Sequence, residues 1–264
     1  MAWGFLRPVS GAPDTQFGRH RGMLRPPVAR LLIASLLGLV IGLILAQWPV
    51  TARQGINGQV FVRRIPLWVK VAEFLVRDHH YRNLARTITA SAEGPQEKVL
   101  AIFEWTRTHL RHQPPDLPIV DDHVYSIIVR GYGTSDQFAD VFTTLCAYAG
   151  IPATMDRVSE PSGDRLYLAM VRLNDRWYPL DPYHGVYFQH EDGRLVSLEE
   201  LIKDPRLLAI TQRGVPAAEV EYGKFIRSGL GESFHALRPA SQMPWTRLWQ
   251  ELVRGFQADG REGS

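Results

Sequence analysis

The apolar positions of this chain form one long uninterrupted run near its N-terminus. Residues 31–48 read "LLIASLLGLVIGLILAQW" and carry no formal charge. At a rise of about 1.5 Å per helical residue, a run of this length is close to the hydrocarbon thickness of a bilayer. We therefore predict a single transmembrane helix over residues 31–50, preceded by a cytoplasmic tail at residues 1–30.

Small side chains recur every four residues within the predicted membrane helix, at Ala34, Gly38, Gly42 and Ala46. Lipid provides no hydrophobic drive for helix association, so close backbone approach over small residues is what stabilises membrane helix pairs. The stripe predicts packing against a helix of another membrane protein subunit. That subunit and the lipid bilayer are the partners we expect.

Behind this run, apolar residues recur at helical spacing in three segments. Residues 51–93 predict a short linker and then an accessory helix beginning near Leu67. A second helix is predicted from Pro95, because proline is favoured in the first helical turn. A third is predicted from Asp136, with one apolar face, and ends before Gly150 and Pro152.

The spacing then changes to that of β-strands. The segment "RLYLAMVRLNDRWYPLDPYHGVYF" alternates in strand fashion around a turn at Asn174-Asp175. Ser197 and Glu200 have the spacing of a capping box and predict a short helix. The extension at residues 206–264 contains an amphipathic segment, "PWTRLWQELVRGF", which could dock on the domain, lie on the membrane or meet a partner. Together these patterns predict an α+β domain.

Charge is distributed unevenly along the chain. Residues 1–30 hold five arginines against one aspartate, whereas the whole chain has a net charge of +3. The basic character therefore belongs largely to a tail, which argues against a nucleic-acid-binding face. The arginines before the apolar run favour a cytoplasmic N-terminus, with the C-terminal domain on the periplasmic side of the inner membrane. A cleaved leader is the alternative, but Ile44 lies where cleavage after Ala46 would require a small residue.

The chain has one cysteine, Cys146, so a disulfide within the chain and a thiolate zinc site are both excluded. It lies in an apolar helical segment, which predicts a buried, inert thiol. The nine histidines show no metal-binding spacing. We expect neither a metal nor a cofactor.

Two segments together resemble the transglutaminase-like branch of the papain-like thiol hydrolases. They are "GYGTSDQFADVFTTLCAYAGIPA" at residues 131–153 and "DRWYPLDP" at residues 175–182. The resemblance covers residues 94–205 and implies a papain-like/transglutaminase-like core, in which helices pack on an antiparallel sheet. The expected order is thus tail, membrane helix, linker with accessory helix, transglutaminase-like domain and C-terminal extension.

Carried over position by position, the resemblance places the catalytic cysteine of that family at Ser135, its histidine at Leu166 and its aspartate at Asp181. A cysteine–histidine pair works because the imidazole favours a thiolate. A serine needs a general base within hydrogen-bond reach, and Leu166 cannot accept a proton. The resemblance therefore implies a vestigial triad, which favours a binding role over catalysis and leaves a serine-based enzyme as the alternative.

Three interpretations of function follow from these residues. The first is a membrane-anchored, catalytically inactive transglutaminase-like domain acting as a binding or scaffolding module, an accessory subunit of a membrane complex. The second is an exported peptidase- or amidase-type hydrolase using Ser135, with His184 or His123 as a relocated base. The third keeps the cleft as a pocket for a peptide or glycan, lined by Tyr132, Trp177 and Tyr183. In the first interpretation, Ser135 or Thr134 only caps the helix that follows.

Overall fold

The computed structural model of the chain describes residues 26–56, 59–159, 165–214 and 220–227, together with positions 246, 249, 250 and 253. It divides into two compact units, Met1–Leu45 and Ala46–Ser264. The predicted helix at "PWTRLWQELVRGF" falls almost entirely outside the described residues. It therefore stays a prediction.

The described residues of the first unit belong to helix α1 (Pro26–Ala46), whose large apolar side chains are exposed along its length. Leu31, Leu36 and Ile44 are each more than half exposed. A side chain added at Gly38 or Gly42 would meet nothing within 4 Å. In the part of the chain that the structure describes, no helix is long and apolar enough to cross a membrane. The transmembrane helix predicted from the sequence thus stays a prediction.

The second unit opens with an antiparallel hairpin where a linker was expected. Strands β1 (Pro49–Ile56) and β2 (Gln59–Pro66) pair along their full length and lead directly into α2 (Leu67–Ile88). Val50 and Ile65 face each other at the base of the hairpin, and both are buried. The Lys70 ammonium donates to the Thr51 carbonyl at 2.7 Å, so the hairpin and α2 form one accessory element.

Three further helices carry the first half of the domain. Helix α3 (Pro95–His109) begins at the predicted proline, and α4 (Val124–Arg130) is capped by His123, whose Nδ1 accepts the backbone N–H of Tyr125. Helix α5 (Ser135–Tyr148) is the most deeply buried of the three. Two short parallel strands, β3 (Arg111–His112) and β4 (Tyr132–Gly133), tie the end of α3 to the start of α5.

Five strands form the antiparallel sheet of the second unit in the order β5-β6-β7-β8-β9. Their bounds are β5 (Ala153–Ser159), β6 (Arg165–Leu173), β7 (Arg176–Asp181), β8 (Val186–Phe188) and β9 (Gln212–Arg213). The predicted turn between β6 and β7 is confirmed. Asn174 and Asp175 both have positive φ, as a two-residue hairpin turn requires.

The sheet buries one apolar cluster on each face, and we call these the helix-side cluster and the far-side cluster. Phe142, Leu145 and Cys146 of α5 lie in the helix-side cluster together with Ala169 and Val171 of β6. In the far-side cluster, Leu166, Leu168 and Met170 of β6 pack with the short helices that follow the sheet. Strand β6 thus contributes alternate residues to the two clusters.

The far-side helices are α6 (Leu198–Lys203), α7 (Leu207–Thr211) and α8 (Tyr222–Arg227). The predicted capping box is present at α6, where the Ser197 backbone N–H donates to Glu200 Oε2 at 2.7 Å. The expected α+β class, with helices packed on an antiparallel sheet, is confirmed.

Candidate functional site

Helix α5 begins at Ser135, and the residue before it, Thr134, is the one that caps the helix. Thr134 is the N-cap and forms a capping box with Gln137, whose Oε1 accepts the Thr134 backbone N–H at 3.2 Å. Ser135 is the first helical residue and is half-buried. Of the two capping residues proposed from the sequence, the structure selects Thr134.

The start of α5 is fixed by a buried polar network. Gln137 is 2% exposed, donates to Asp122 Oδ1 at 2.7 Å and accepts from Arg130 Nη2 at 2.7 Å. Gly133 passes so close that an added Cβ would lie 2.8 Å from Gln137 Oε1. Every polar atom of the Gln137 amide is therefore used for structure, and the network holds the first turn of α5 rigidly.

Asp181, at the end of β7, is the centre of a second polar cluster. It is 1% exposed and its Oδ1 accepts the His184 backbone N–H at 3.0 Å. His184 Nδ1 lies 2.7 Å from Asp181 Oδ2, and the Tyr222 hydroxyl donates to the same oxygen at 2.9 Å. Burial and the neighbouring Asp181 charge raise the pKa of Tyr222 far above its usual value. The tyrosine therefore stays a hydrogen-bond donor to Asp181.

A histidine from β3 completes the cluster. The His112 ring stacks on Tyr183 with 4.1 Å between centroids, and its Nε2 lies 3.0 Å from the Tyr183 carbonyl oxygen. Because a carbonyl can only accept, Nε2 is the donor in this contact, which leaves Nδ1 as an acceptor in the neutral form of the ring. The Phe138 ring, from the first turn of α5, packs edge-on against Tyr183 at 5.2 Å.

These side chains line a cavity of about 530 Å³. Its size is within the usual range for small-molecule sites. Glu104 and Arg107 of α3 border it as a two-bond ion pair at 2.6 and 3.1 Å. The lining consists of Phe103, Glu104, Arg107, Leu110, His112, Phe138, Tyr183, His184, Gly185, Tyr187 and Gly214.

Two glycines form part of this lining, and at one of them the backbone passes too close for a side chain. Both have positive φ, +71° at Gly185 and +85° at Gly214. An added Cβ at Gly214 would lie 1.8 Å from the Gly185 carbonyl oxygen, well inside van der Waals contact. Only glycine fits at position 214 with this backbone.

The structure brings together some of the predicted site residues and separates others. Asp181 contacts His184, one of the two alternative bases, whereas His123 caps α4. Leu166 is 3% exposed in the far-side cluster, on the opposite face of the sheet from α5. Ser135 is not among the residues that line the cavity within the described part of the chain.

Of the three aromatic residues predicted to line a pocket, Tyr183 lies in the cavity wall. Tyr132 lies under the Arg130 guanidinium, 5.6 Å from ring centroid to Cζ. Trp177 packs against the far-side cluster. Sequence reasoning missed Phe103, Arg107 and His112, because these residues are remote along the chain from the motifs and have no spacing that marks them.

The single thiol, Cys146, lies in an apolar environment and not in a polar cluster. Cys146 is fully buried in the helix-side cluster, and burial raises the pKa of its thiol well above the usual value. No group of three or more His, Cys, Asp or Glu residues in the described ranges could hold a metal ion.

We expect Cys146 in the folded protein to resist alkylation by iodoacetamide at neutral pH, and to react fully in guanidinium chloride. The reason is that a buried thiol with a raised pKa offers little thiolate to the reagent. Mass spectrometry of timed samples measures both rates. Native labelling as fast as that of a free cysteine would contradict the buried, neutral thiol.

Residues 82–182 match the sequence model of the Transglutaminase-like superfamily, from the second half of α2 to the residue after Asp181. This stretch forms a transglutaminase-like domain, in agreement with the resemblance found in the sequence. No curated protein matches the chain.

Several solved structures are similar to the chain at low identity. A candidate cysteine protease from Cytophaga hutchinsonii is 19% identical, with 40% of this chain and 37% of that one covered, at a TM-score of 0.35. A candidate protease from Parabacteroides distasonis is 15% identical, with 52% of this chain and 36% of that one covered, at a TM-score of 0.34. A TGase is 14% identical, with 60% of this chain and 48% of that one covered, at a TM-score of 0.33. The chain thus matches less than half of each structure.

Proposed function

We propose that the transglutaminase-like domain is a binding module without thiol or acyl-transfer chemistry, and that the cavity beside α5 is its ligand site. One observation carries this proposal. None of the eleven described residues that line the cavity is a serine, threonine or cysteine. The lining therefore offers recognition groups but no nucleophile of the kind that acyl transfer uses.

The lining favours a ligand with a flat or apolar part and a few polar groups. Tyr183 and Tyr187, both partly exposed, provide aromatic surface, and the neutral His112 ring provides Nδ1 as an acceptor. Peptides and glycans both combine such features, since amides and hydroxyls donate to imidazole nitrogens while apolar or sugar faces pack on aromatic rings.

Ammonia release and peptide cleavage test the absence of chemistry. The purified chain should release no ammonia from glutamine-containing peptides and should cleave no casein above the level of a heat-denatured sample. A rate that Ser135→Ala or His184→Gln abolishes would overturn the proposal.

A binding screen tests the cavity directly. Short peptides and oligosaccharides that raise the melting temperature should do so for the parent chain and for Ile210→Ala, an exposed control on α7. The effect should be lost in Tyr183→Ala, which removes the ring that His112 stacks on. Stabilisation that survives Tyr183→Ala would place the ligand elsewhere.

We further propose that residues 31–48 anchor the module in the cytoplasmic membrane as an accessory subunit of a membrane complex, with the domain on the periplasmic side. The uncharged run and the exposed apolar side chains of α1 support this. Purification from native membranes in a gentle detergent should recover the chain with other membrane subunits. Gly38→Leu and Gly42→Leu should weaken that recovery. Nothing in the described part of the chain lies within 4 Å of a Cβ added at either position, so a leucine there would obstruct only the close approach of a partner helix. Migration of the parent chain alone would contradict the complex.

The second candidate function is a hydrolase, which the Asp181–His184 pair favours. A buried carboxylate on Nδ1 is the arrangement that orients an imidazole so that Nε2 can act as a base. This alternative expects a serine-reactive phosphonate to label Ser135 covalently, with labelling lost in Ser135→Ala. No labelling of folded protein would eliminate it.

A further inference from the structure

The hairpin β1–β2 is exposed on both of its faces toward its outer end. Phe61 and Val62 are neighbours in β2, so their side chains point to opposite faces, yet they are 50% and 62% exposed. At the base of the hairpin, by contrast, Val50 and Ile65 are buried. An isolated two-stranded hairpin is marginally stable in water. The outer half of this one presents large apolar side chains without a described covering element.

The charge of the hairpin has a single sign. Residues 49–66 contain Arg53, Arg63 and Arg64 and no acidic residue. With α2 included, residues 49–88 hold seven basic and two acidic residues, a net charge of +5, whereas residues 89–264 hold 18 basic and 24 acidic, a net charge of −6. The basic groups are therefore concentrated in the accessory element, next to exposed aromatic and aliphatic side chains.

The hairpin is also adjacent to the apolar run along the chain. Trp48, half exposed, ends that run, and its carbonyl accepts the Leu67 backbone N–H at 2.9 Å. The base of the hairpin is thereby fixed within one residue of the proposed anchor. Along the chain, the first strand of the hairpin thus follows directly after the proposed anchor.

We propose that the hairpin β1–β2 lies on a bilayer surface rich in anionic lipid headgroups. Arg63 and Arg64, both exposed, attract its phosphate groups. Arg63 also lies 3.4 Å from Glu73 Oε1, in a contact that is open to solvent. Val62, which shares a face with Arg64, enters the interfacial layer, while Phe61 lies on the face that carries Ile65. The inference rests on the proposed anchor, and it adds a second membrane contact that orients the domain.

The test uses the full chain with a fluorescent NBD group on Val62→Cys, since Cys146 is buried and stays unlabelled. Ile210→Cys is the matched control, because Ile210 is 65% exposed and lies on α7. The chain is reconstituted in vesicles of phosphatidylcholine with or without phosphatidylglycerol. We expect the probe at position 62 to shift to shorter wavelength and to be quenched severalfold by spin-labelled lipid, more strongly with phosphatidylglycerol. The probe at position 210 should remain in water.

Charge reversal gives a second variant. Arg63→Glu with Arg64→Glu should remove most of the phosphatidylglycerol dependence at position 62. If the vesicles float with the chain but both probes remain in water, the hairpin contact is wrong while the anchor stands. If the chain does not float, both are wrong. A shift at position 62 that follows protein concentration and not phosphatidylglycerol would place a second copy on the hairpin and would also overturn the proposal.

Discussion

Asp181→Ala is expected to lower the free energy of unfolding by about 3 kcal/mol or more, because each buried donor left without an acceptor costs about 1–3 kcal/mol. The alanine leaves three donors without their acceptor: the His184 backbone N–H, the His184 ring and the Tyr222 hydroxyl. The two His184 contacts close the turn after β7, and the Tyr222 contact joins the end of β7 to α8. The loss should appear in guanidinium chloride unfolding followed by near-ultraviolet circular dichroism.

The matched control is Asp116→Ala, which removes an exposed aspartate and should change stability by less than about 0.5 kcal/mol. Asp181→Asn should fall between the two, because its amide oxygen still accepts while its NH₂ group faces donors. If Asp181→Ala unfolds at the same denaturant concentration as Asp116→Ala, the polar cluster does not stabilise the domain.

Phe142→Ala should cost about 3–5 kcal/mol, the usual range for emptying a phenylalanine site in a packed core. Phe142 is fully buried in α5 and packs edge-to-face on Phe103, with ring centroids 6.1 Å apart. Phe103 also lines the cavity, so the variant should loosen one wall of the ligand site as well.

Thermal and denaturant unfolding measure the loss of stability in Phe142→Ala. The ligand-induced rise in melting temperature measures the change in the ligand site. Val129→Ala, at an exposed position of α4, is the control and should leave both unchanged. A Phe142→Ala protein as stable as Val129→Ala would show that the helix-side cluster repacks around the missing ring.

Local sequence signals predicted the elements whose geometry is set by neighbouring residues. Pro95 begins α3, Asn174-Asp175 forms the β6–β7 turn, and Ser197 with Glu200 caps α6. The hairpin β1–β2 was expected to be a linker, although the dipeptide Asn57-Gly58 between apolar stretches is a hairpin signal. The residues on either side of this dipeptide lack the regular alternation of apolar and polar positions that predicts strands.

The site was harder to predict, because its contacts join residues distant in sequence. His112 contacts a residue 71 positions away, and Tyr222 contacts one 41 positions away. Position-by-position comparison also led to Leu166, whose side chain faces away from α5. The alternation of β6 carries that information, since Leu166 shares a face with Leu168 and Met170 and not with Ala169. The family pattern therefore located the strand correctly without indicating which face the equivalent side chain occupies.

The close contact between Gly185 and Gly214 has a consequence for related sequences. Any relative that keeps this backbone path must have glycine at the position of Gly214, whatever its catalytic positions contain. A relative with a larger residue there must separate the ends of β8 and β9 and so reshape the cavity. This one position therefore offers a criterion for sorting relatives by cavity shape, independent of whether they retain a catalytic cysteine.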